Sequence, residues 1–350
     1  MWSGGFMPKS ATSRKSSGLA SPLSADEVDQ TRLITKVAWM YHYLKLSQGD
    51  IAEKMSLSQS VVSRFLKAAK TNGTVQIHVT VPRGLYIELE SALESEYGLR
   101  EAHVFDVNHG SNESELVRDL GQLLASRLAA TGISAEVIGF TSWSRSLRAT
   151  VAALHNMKVA EGKYVVEMLG DVGDPAEQHD AALSTQRLAE ILGAEPRFLR
   201  VPGVTPSKEI RDVLVQYDQY VQETLTLLDR VELALVGIGT CEIVAPLVGG
   251  DNFFTEKQFI QAKKDGAVGQ VNLRFIDEKG LPVQTKLDEL IVGVTLNQLK
   301  RADRSIGVAG GPTKFRAIRA AIRGGWVNTL VTDVDTAKWL LVNSNGKLPS

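Results

Sequence analysis

The sequence predicts an α/β protein in which an amino-terminal winged helix-turn-helix is followed by a Rossmann-like domain built on a parallel sheet. Two observations predict it. Two short amphipathic helices separated by a tight turn occupy residues 47–70, with the apolar spacing of a helix-turn-helix. From residue 103 onward, short apolar runs alternate with helical stretches, the pattern of a parallel sheet covered by helices. We expect a disordered tail at 1–25, the winged helix-turn-helix at 26–83, a linking helix at 84–100 and the parallel-sheet domain at 101–350.

Composition places the chain among globular proteins of two or three domains. Of its 350 residues, 43% are hydrophobic and 23% are charged, enough to build sizeable cores. The single cysteine, Cys241, excludes an internal disulfide and a cysteine-cluster zinc site. No apolar run approaches the roughly 18 residues of a membrane span, and the amino terminus lacks the apolar core of a signal peptide. We therefore expect a cytoplasmic protein with no membrane partner.

Charge is unevenly distributed along the chain, although the net charge is only −1. Residues 31–83 carry eight lysines and arginines against Asp50 and Glu53, whereas the later residues are acidic overall. Residues 1–25 are rich in serine and glycine and show no hydrophobic period, which predicts disorder. The amino-terminal part is thus the one matched to a polyanion such as DNA.

The helix-turn-helix prediction depends on caps and apolar positions. Ser47 and Ser58 each precede an amphipathic run and are well placed to cap a helix. Ala52 is small enough for a close helix crossing, and Leu57 in the turn would fill the gap between the helices. Ser56 stands in the turn where glycine is commoner, because glycine permits a positive φ. Residues 26–46 are expected to form the supporting first helix.

The outward face of the second short helix predicts the partner. It carries residue types that hydrogen-bond base edges and phosphates, without a carboxylate. Its predicted DNA-binding residues are Gln59, Ser60, Ser63, Arg64, Lys67 and Lys70. The alternative is an ordinary helical hairpin with a solvated polar face; because the spacing, caps and basic face coincide, we favour double-stranded DNA. A symmetric operator would require a homodimer or homotetramer.

Two segments follow this helix. Residues 75–81 alternate apolar and polar side chains, which predicts the strand of a wing. Residues 85–97 predict a helix with one apolar stripe and four glutamates. That stripe could pair with its copy in a second subunit or dock on its own domain, and the sequence favours neither.

The later part of the chain contains eight predicted strands and six predicted helices. The strands are 103–107, 137–140, 163–169, 197–201, 233–238, 271–276, 305–309 and 329–333. The helices are 113–130, 146–155, 178–192, 208–214, 313–323 and 334–341. In open parallel sheets, ligands bind beyond the carboxyl ends of the strands, where helix amino termini offer free N–H groups.

Three strand ends carry residues suited to a ligand. The first is a run of hydroxyl, indole and guanidinium side chains opening a helix, able to hold a phosphate or to serve only as helix caps. The predicted effector-binding residues there are Ser142, Trp143, Ser144, Arg145 and Ser146. The second strand end has Gly237 and Gly239, which would permit close approach of backbone to ligand. The third has Gly310, Gly311 and Lys314.

Neither glycine motif predicts a nucleotide cofactor. Gly237 and Gly239 form a lone GxG, with Glu242 where a dinucleotide fingerprint requires a third glycine. The segment containing Lys314 lacks the GxxxxGK[ST] spacing of a phosphate-binding loop. A lysine at a helix amino terminus is opposed by the helix dipole, which favours a bound anion over the alternative of a solvated lysine. We expect no cofactor and no metal.

Taken together, the helix-turn-helix, SWSRS at 142–146, GIG at 237–239, GAVGQ at 266–270 and the long carboxy-terminal segment AGGPTKFRAIRAAIRGGWVNTLVTDVDTAKWLL resemble the SorC family of bacterial transcriptional regulators. The resemblance implies a carboxy-terminal domain similar to the sugar-phosphate isomerase and CoA-transferase folds. It also implies a sugar, polyol or sugar-phosphate effector and an oligomeric regulator. Ser144 and Ser146 replace the family's glycine and threonine, and Gln270 stands where the family often has an acidic residue that accepts bonds from sugar hydroxyls.

The sequence therefore predicts a DNA-binding regulator of carbohydrate utilisation that is controlled by such an effector. The rival hypothesis is a sugar-phosphate isomerase or deaminase carrying a DNA-binding head. That chemistry needs a general base with a perturbed pKa. Glu242, Asp171 and Asp174 lie near strand ends but form no convincing pair in the sequence, so we predict that the protein is not an enzyme and has no catalytic residues.

Overall fold

The computed structural model describes residues 25–77, 81–82, 84–106, 112–155, 163–243 and 251–344. The chain divides into two compact units, residues 1–80 and residues 81–350. Almost all of the predicted tail lies outside the described residues.

The described part of the first unit contains three helices: α1 (Ala25–His42), α2 (Gln48–Lys54) and α3 (Gln59–Thr71). Both serines cap as predicted. Ser47 forms a capping box with Asp50, and the Ser58 side chain accepts a hydrogen bond from the backbone N–H of Val61. The buried side chains between the helices include Val37, Met40, Ile51, Ala52, Val62 and Leu66, with Leu57 packed against them.

Local backbone geometry explains two boundaries in this unit. Ser56 adopts a φ of 55°, so the turn takes the left-handed conformation without the usual glycine. The first helix ends at His42 rather than at residue 46, and Lys45, with a left-handed φ of 57°, keeps the helix from continuing through the predicted end. The predicted wing strand is absent over residues 75–77, and 78–80 lie outside the described residues.

The described part of the second unit is built on a parallel sheet of seven strands. Numbered in chain order, with β6 to β8 belonging to a second sheet described below, they are β1 (Glu101–Phe105), β2 (Val137–Phe140), β3 (Tyr164–Glu167), β4 (Glu195–Arg197), β5 (Leu233–Val236), β9 (Arg304–Val308) and β10 (Thr329–Asp333). They lie side by side in the order β1-β10-β9-β5-β2-β3-β4. Every neighbouring pair is parallel. The predicted Rossmann-like α/β class is confirmed for this unit.

The helices of this unit are α4 (Ile87–Tyr97), α5 (Glu113–Thr131), α6 (Arg145–Ala153), α7 (Pro175–Leu192), α8 (Lys208–Tyr217), α9 (Gln219–Leu227), α10 (Glu256–Lys264), α11 (Leu296–Arg301), α12 (Phe315–Arg323) and α13 (Val334–Val342). Several of them cover the two faces of the parallel sheet, whereas the buried side chains of α10 belong to a separate apolar cluster. Strand β5 shows the two layers, because Leu233 and Leu235 pack with α5, α6 and α7 while Ala234 and Val236 pack with α12 and α13. A strand buried on both faces is expected to be continuously apolar, as β5 is.

The direction of winding reverses between β2 and β5. From β2 the chain proceeds through β3 to β4 at one edge, and from β5 it proceeds through β9 and β10 toward the other edge. In such sheets the crevice at the carboxyl ends of the two diverging strands is the usual ligand site.

The unit also contains a second, antiparallel sheet, and two of the predicted strands differ from the structure because of it. It consists of β6 (Ile238–Gly239), β7 (Gly269–Val271) and β8 (Arg274–Ile276). The predicted single strand 271–276 is wrong, since the chain reverses at Asn272 and Leu273, which have φ values of 48° and 63°. The predicted strand 233–238 is likewise divided: β5 stays in the parallel sheet and β6 pairs with β7.

Other differences from the predicted elements also have physical causes. The predicted strand 197–201 ends at Arg197, because the N–H of Leu199 donates to the buried Glu167 side chain instead of to a strand (3.0 Å). The sequence patterns missed α9, α10 and α11, which are at most nine residues long.

Helix α4 docks on its own unit. Leu93 is fully buried in the main core, and the side chains of Glu90 and Glu94 accept hydrogen bonds from the backbone N–H groups of Val104 and Ala102, each at 2.9 Å. These two N–H groups lie on β1, an edge strand, so the glutamates satisfy donors that would otherwise be open to another strand. Leu85, just before the helix, remains exposed.

Candidate functional site

The first candidate surface is the outer face of α3. Val62, Leu66 and Ala69 are buried against the other helices. The six predicted DNA-binding side chains are all exposed: Gln59, Ser60, Ser63, Arg64, Lys67 and Lys70. A polar and basic helix face of this kind can donate to base edges in a major groove and to flanking phosphates.

The basic side chains on this face have no acidic partners among the residues that the structure describes. Arg64, Lys67 and Lys70 form no salt bridge with any described residue. The hydroxyl of Ser60 lies 2.9 Å from that of the capping Ser58, so part of its hydrogen-bonding capacity is used within the helix amino terminus.

The second candidate site is a cavity of about 220 Å³ in the second unit. It lies where β2 and β5 diverge, the position expected for an open α/β sheet. Its lining residues are Glu113, Val117, Trp143, Ser144, Arg145, Ser146, Arg148, Glu177, Gly237, Ile238, Gly239, Thr240, Glu242, Ile243, Phe253, Gln270, Thr313 and Lys314. The volume is below the roughly 300–1,000 Å³ of drug-sized sites and suits a small metabolite.

Most of the predicted effector-binding residues lie together on this cavity. Those that line it are Trp143, Ser144, Arg145, Ser146, Gly237, Gly239, Gln270 and Lys314. Ser142 is buried beside it without lining it. Gly310 and Gly311 also lie outside the lining; the N–H of Gly311 donates to Asp333 and Thr336 at 2.9 and 3.0 Å, which fixes the backbone leading to Lys314.

The buried hydroxyl of Thr141 connects three chain segments next to the cavity. The Oγ1 of Thr141, at the end of β2, donates to the side-chain oxygen of Asn272 at 2.9 Å. The Oγ1 of Thr141 in turn accepts a hydrogen bond from the N–H of Gly237 at 3.3 Å. The end of β2, the end of β5 and the β7–β8 turn are therefore held in fixed register.

The start of α6 presents donors to the cavity. Ser144 occupies the N-cap position but its side chain makes no capping bond, and Ser146 in the first turn is buried. The indole Nε1 of Trp143 is buried with no hydrogen-bond partner in the described part of the chain. Uncapped N–H groups at the start of a helix can bind the oxygens of an anion.

Ion pairs occupy most of the charged groups around the cavity. Arg145 pairs with Glu113, and Arg148 pairs with Glu177 at 3.0 Å. A third cavity carboxylate, Glu242, pairs with Lys263 at 3.0 Å. The three glutamates are thus already neutralised by neighbouring cations.

Lys314 differs from these groups. It lines the cavity and is half-buried, and within the described ranges no carboxylate lies close enough to its Nζ to form a salt bridge. Burial lowers the pKa of Lys314 from its ordinary value, and the nearby positive charge of Arg145 lowers it further against a smaller opposing effect of Glu113. Removing part of a cation's surface from water without supplying a partner is unfavourable, and a bound anion would relieve that cost.

The carboxylates considered as general bases have other partners. Asp171 pairs with Arg200 at 2.7 Å, and Asp174 caps α7. Glu242 does line the cavity but pairs with Lys263. In the residues described, no three His, Cys, Asp or Glu side chains are grouped so as to hold a metal ion. Over the same residues, no helix is both long and apolar enough to cross a membrane.

Several lining residues were not predicted. Glu113 and Val117 belong to α5, and Arg148 and Glu177 face each other from α6 and α7. Phe253 comes from an aromatic cluster that closes one side. No local motif marks these positions, because they reach the cavity only through the packing of the helices on the sheet.

Comparison with known proteins agrees with this architecture. Residues 83–342 match the sequence profile of the Sugar-bind family, a sugar-binding domain. The chain is 30% identical to the deoxyribonucleoside regulator of Bacillus subtilis over 89% of this chain and 98% of that protein. It is 29% identical to the sorbitol operon regulator of Klebsiella pneumoniae, over 89% of this chain and 98% of that protein.

A solved structure agrees with these sequence relatives. The crystal structure of full-length SorC, the sorbitol operon regulator from Klebsiella pneumoniae, superposes with a TM-score of 0.66 at 28% identity, covering 89% of this chain and 99% of that one. The chain therefore belongs to the SorC family of sugar-binding transcriptional regulators.

Proposed function

We propose that this protein regulates a carbohydrate-utilisation operon by binding operator DNA through α3, under the control of an anionic sugar derivative bound in the cavity. The observation that carries the effector class is Lys314, a half-buried cation that lines the cavity without an ion-pair partner among the described residues. The other charged lining groups are paired. A phosphate or carboxylate would supply the missing counter-charge.

The uncapped start of α6 supports the same ligand class. Its free N–H groups and the hydroxyl of Ser146 offer donors at the positive end of a helix. Other polar side chains that line the cavity can form hydrogen bonds with the hydroxyl groups of a sugar, since the hydroxyls of Thr240 and Thr313 both donate and accept. The expected ligand is a small sugar acid or sugar phosphate.

The DNA-binding half of the proposal rests on α3. Arg64 and Gln59 would read base edges, while Lys67 and Lys70 would contact phosphates. Residues 26–83 would form a winged helix-turn-helix, with 84–100 as the link to the effector-binding domain at 101–350. A symmetric operator would require a homodimer or homotetramer, because its half-sites lie about 34 Å apart. The relatives named above regulate sorbitol and deoxyribonucleoside operons, which supports carbohydrate control here.

Control would follow from differential binding. An effector that binds one conformation or assembly better shifts the population toward it, and the same coupling alters DNA affinity. The cytoplasm, where operator and metabolite meet, would be the site of action.

Calorimetric titration of sugar acids, sugar phosphates and their neutral parents tests the effector class. We expect anionic compounds to bind more tightly than their parents, and Lys314→Gln to remove most of that advantage, because charge-assisted bonds are about twice as strong as neutral ones. Lys257→Gln is the matched control, since Lys257 is exposed on α10 and does not line the cavity. Equal binding of anionic ligands by wild type and Lys314→Gln would contradict the proposal.

A further inference from the structure

Helix α8 has an apolar outer side that its own chain leaves exposed. Half of its residues are apolar, yet it buries no side chain, whereas each other α-helix described in the second unit buries at least one. Its inner side rests on the unit through Leu214 and Val215, which are partly buried against an apolar cluster. Arg211 fixes the same side, because its Nε donates to the carbonyl of Ile291 at 3.1 Å.

The outer side of α8 forms a stripe that continues onto α9. Ile210, Val213 and Tyr217 recur at the three- and four-residue spacing of one helix face, and they are 45%, 53% and 76% exposed. Tyr220 on α9 is 79% exposed. An open groove of about 410 Å³ lies at the junction of the two helices, lined by Val213, Leu214, Tyr217, Asp218, Gln219 and Tyr220. We call Ile210, Val213, Tyr217 and Tyr220 the outer stripe.

The charges of α8 lie in one half of the helix and largely neutralise one another. Lys208 and Arg211 both pair with Asp212, at 2.7 and 3.0 Å. With Glu209 they occupy the amino-terminal half, whereas residues 213–217 carry no charge. A second copy of the helix running antiparallel would set its charged half against the uncharged half of the first. No charged side chain would then meet its own copy, and the two helix dipoles would oppose each other favourably.

We propose that the outer stripe is an interface with a second copy of this chain, in which the two α8 helices pack antiparallel about a two-fold axis near Val213. Residues at equal distances before and after Val213 then face each other. Ile210 of each copy lies over the groove of the other, and Glu209 of each can accept a hydrogen bond from the Tyr217 hydroxyl of the other. Ridge, groove and charge are thus self-complementary, which a two-fold interface requires.

The size and composition of the stripe fit this occupant. Two largely exposed tyrosines and two aliphatic side chains present on the order of 400 Å² of surface, given about 150–250 Å² for each aromatic side chain. A standard interface covers about 800 Å² per partner, with tyrosine enriched at its centre and a polar rim around it. The exposed side chains of Glu209, Gln216 and Gln219 supply such a rim. The inference deepens the proposed function and rests on it, because a symmetric operator requires at least two copies.

Light scattering of the full chain tests the interface. Wild type at micromolar concentration is expected to be a dimer or tetramer. Val213→Asp should have half the wild-type mass, because two carboxylates would meet near the axis and lose their water without a partner. Leu183→Asp is the matched control and should keep the wild-type mass, since Leu183 is similarly exposed, at 49%, on α7.

A cysteine variant gives a second readout of the same contact. Val213→Cys should form a disulfide-linked dimer on mild oxidation, because a residue near a two-fold axis meets its own copy, whereas Leu183→Cys should not. The native Cys241 is buried and does not compete. A wild-type mass in Val213→Asp would overturn the interface, and so would a monomeric wild type, which would leave the stripe to a different partner. If Val213→Asp does not fold, the presence or absence of the cross-link decides.

Operator binding separates this inference from the proposed function. Arg64→Ala leaves α8 untouched and should keep the wild-type mass. A wild-type dimer that is halved by Val213→Asp but binds no duplex of any sequence would contradict the proposed function and leave the interface in place. Normal operator binding together with a wild-type mass in Val213→Asp would overturn the interface alone.

Discussion

Gly239 and Gln270 face each other across the short antiparallel pair of β6 and β7, so closely that a Cβ on residue 239 would lie 2.0 Å from the amide nitrogen of Gln270. A larger residue at this position is thus opposed by a side chain rather than by the backbone conformation, since Gly239 has no left-handed φ. The contact links a glycine-containing strand end to the only amide on the cavity wall among the described residues.

Gly239→Ala should displace the Gln270 amide without unfolding the unit, because the end of a flexible side chain can move where a backbone cannot. We expect weaker ligand binding, with the melting temperature little changed. A double-mutant cycle with Gln270→Ala checks the mechanism: in that background, Gly239→Ala should have almost no further effect on affinity. A full additional loss would place the effect elsewhere.

Arg64→Ala and Lys67→Ala should affect DNA binding in different ways. Loss of a base contact by Arg64 is expected to reduce discrimination between operator and random duplex by about 1–3 kcal/mol. Loss of a phosphate contact by Lys67 should weaken binding to all sequences and flatten its salt dependence. Fluorescence anisotropy at several salt concentrations distinguishes the two, and normal operator binding by both variants would rule out α3 as the recognition helix.

Affinity for an anionic effector should fall as pH rises. The pKa of Lys314 is lowered by burial and by Arg145, so the charge needed for binding is present below this lowered pKa and lost as pH rises through it. Phosphate stays dianionic above about pH 7, because its second pKa is about 6. Lys314→Arg stays charged and should show a flat affinity over the same range. A flat wild-type profile would argue against contact between Lys314 and the ligand.

Leu93→Ala should destabilise the second unit by roughly 2–5 kcal/mol, because it empties a fully buried site in the main core. Leu85→Ala, at an exposed position just before the same helix, is the control and should change stability by less than about 0.5 kcal/mol. Denaturant unfolding measures both. If the two variants were equally stable, α4 would not be anchored as described.

The sequence predicted the parts of this molecule that local patterns specify. The serine caps of α2 and α3, the limits of β2 and β10 and most of the cavity-lining residues after β2 and β5 follow from apolar periodicity and strand-end chemistry. The β7–β8 hairpin was missed because its turn uses Asn272 and Leu273 without the glycine that marks such turns.

The features that the sequence did not predict depend on packing between elements that are distant in the sequence. Glu113 reaches the cavity because α5 packs beside α6, and it pairs there with Arg145. Gly310 and Gly311 were expected to contact the ligand, yet Gly310 lies against Asp333 and Gly311 donates to Asp333 and Thr336. The sequence identified the strand ends but could not show which of their residues support the site and which face it.

The most direct test of the central claim is a titration of operator DNA, selected from a random duplex library by the protein itself, in the presence of the tightest-binding anionic sugar derivative. We predict that the ligand shifts the wild-type DNA affinity by roughly 5- to 150-fold, and that Lys314→Gln requires much more ligand for the same shift. A ligand that binds the cavity and leaves operator affinity unchanged would contradict effector control of DNA binding.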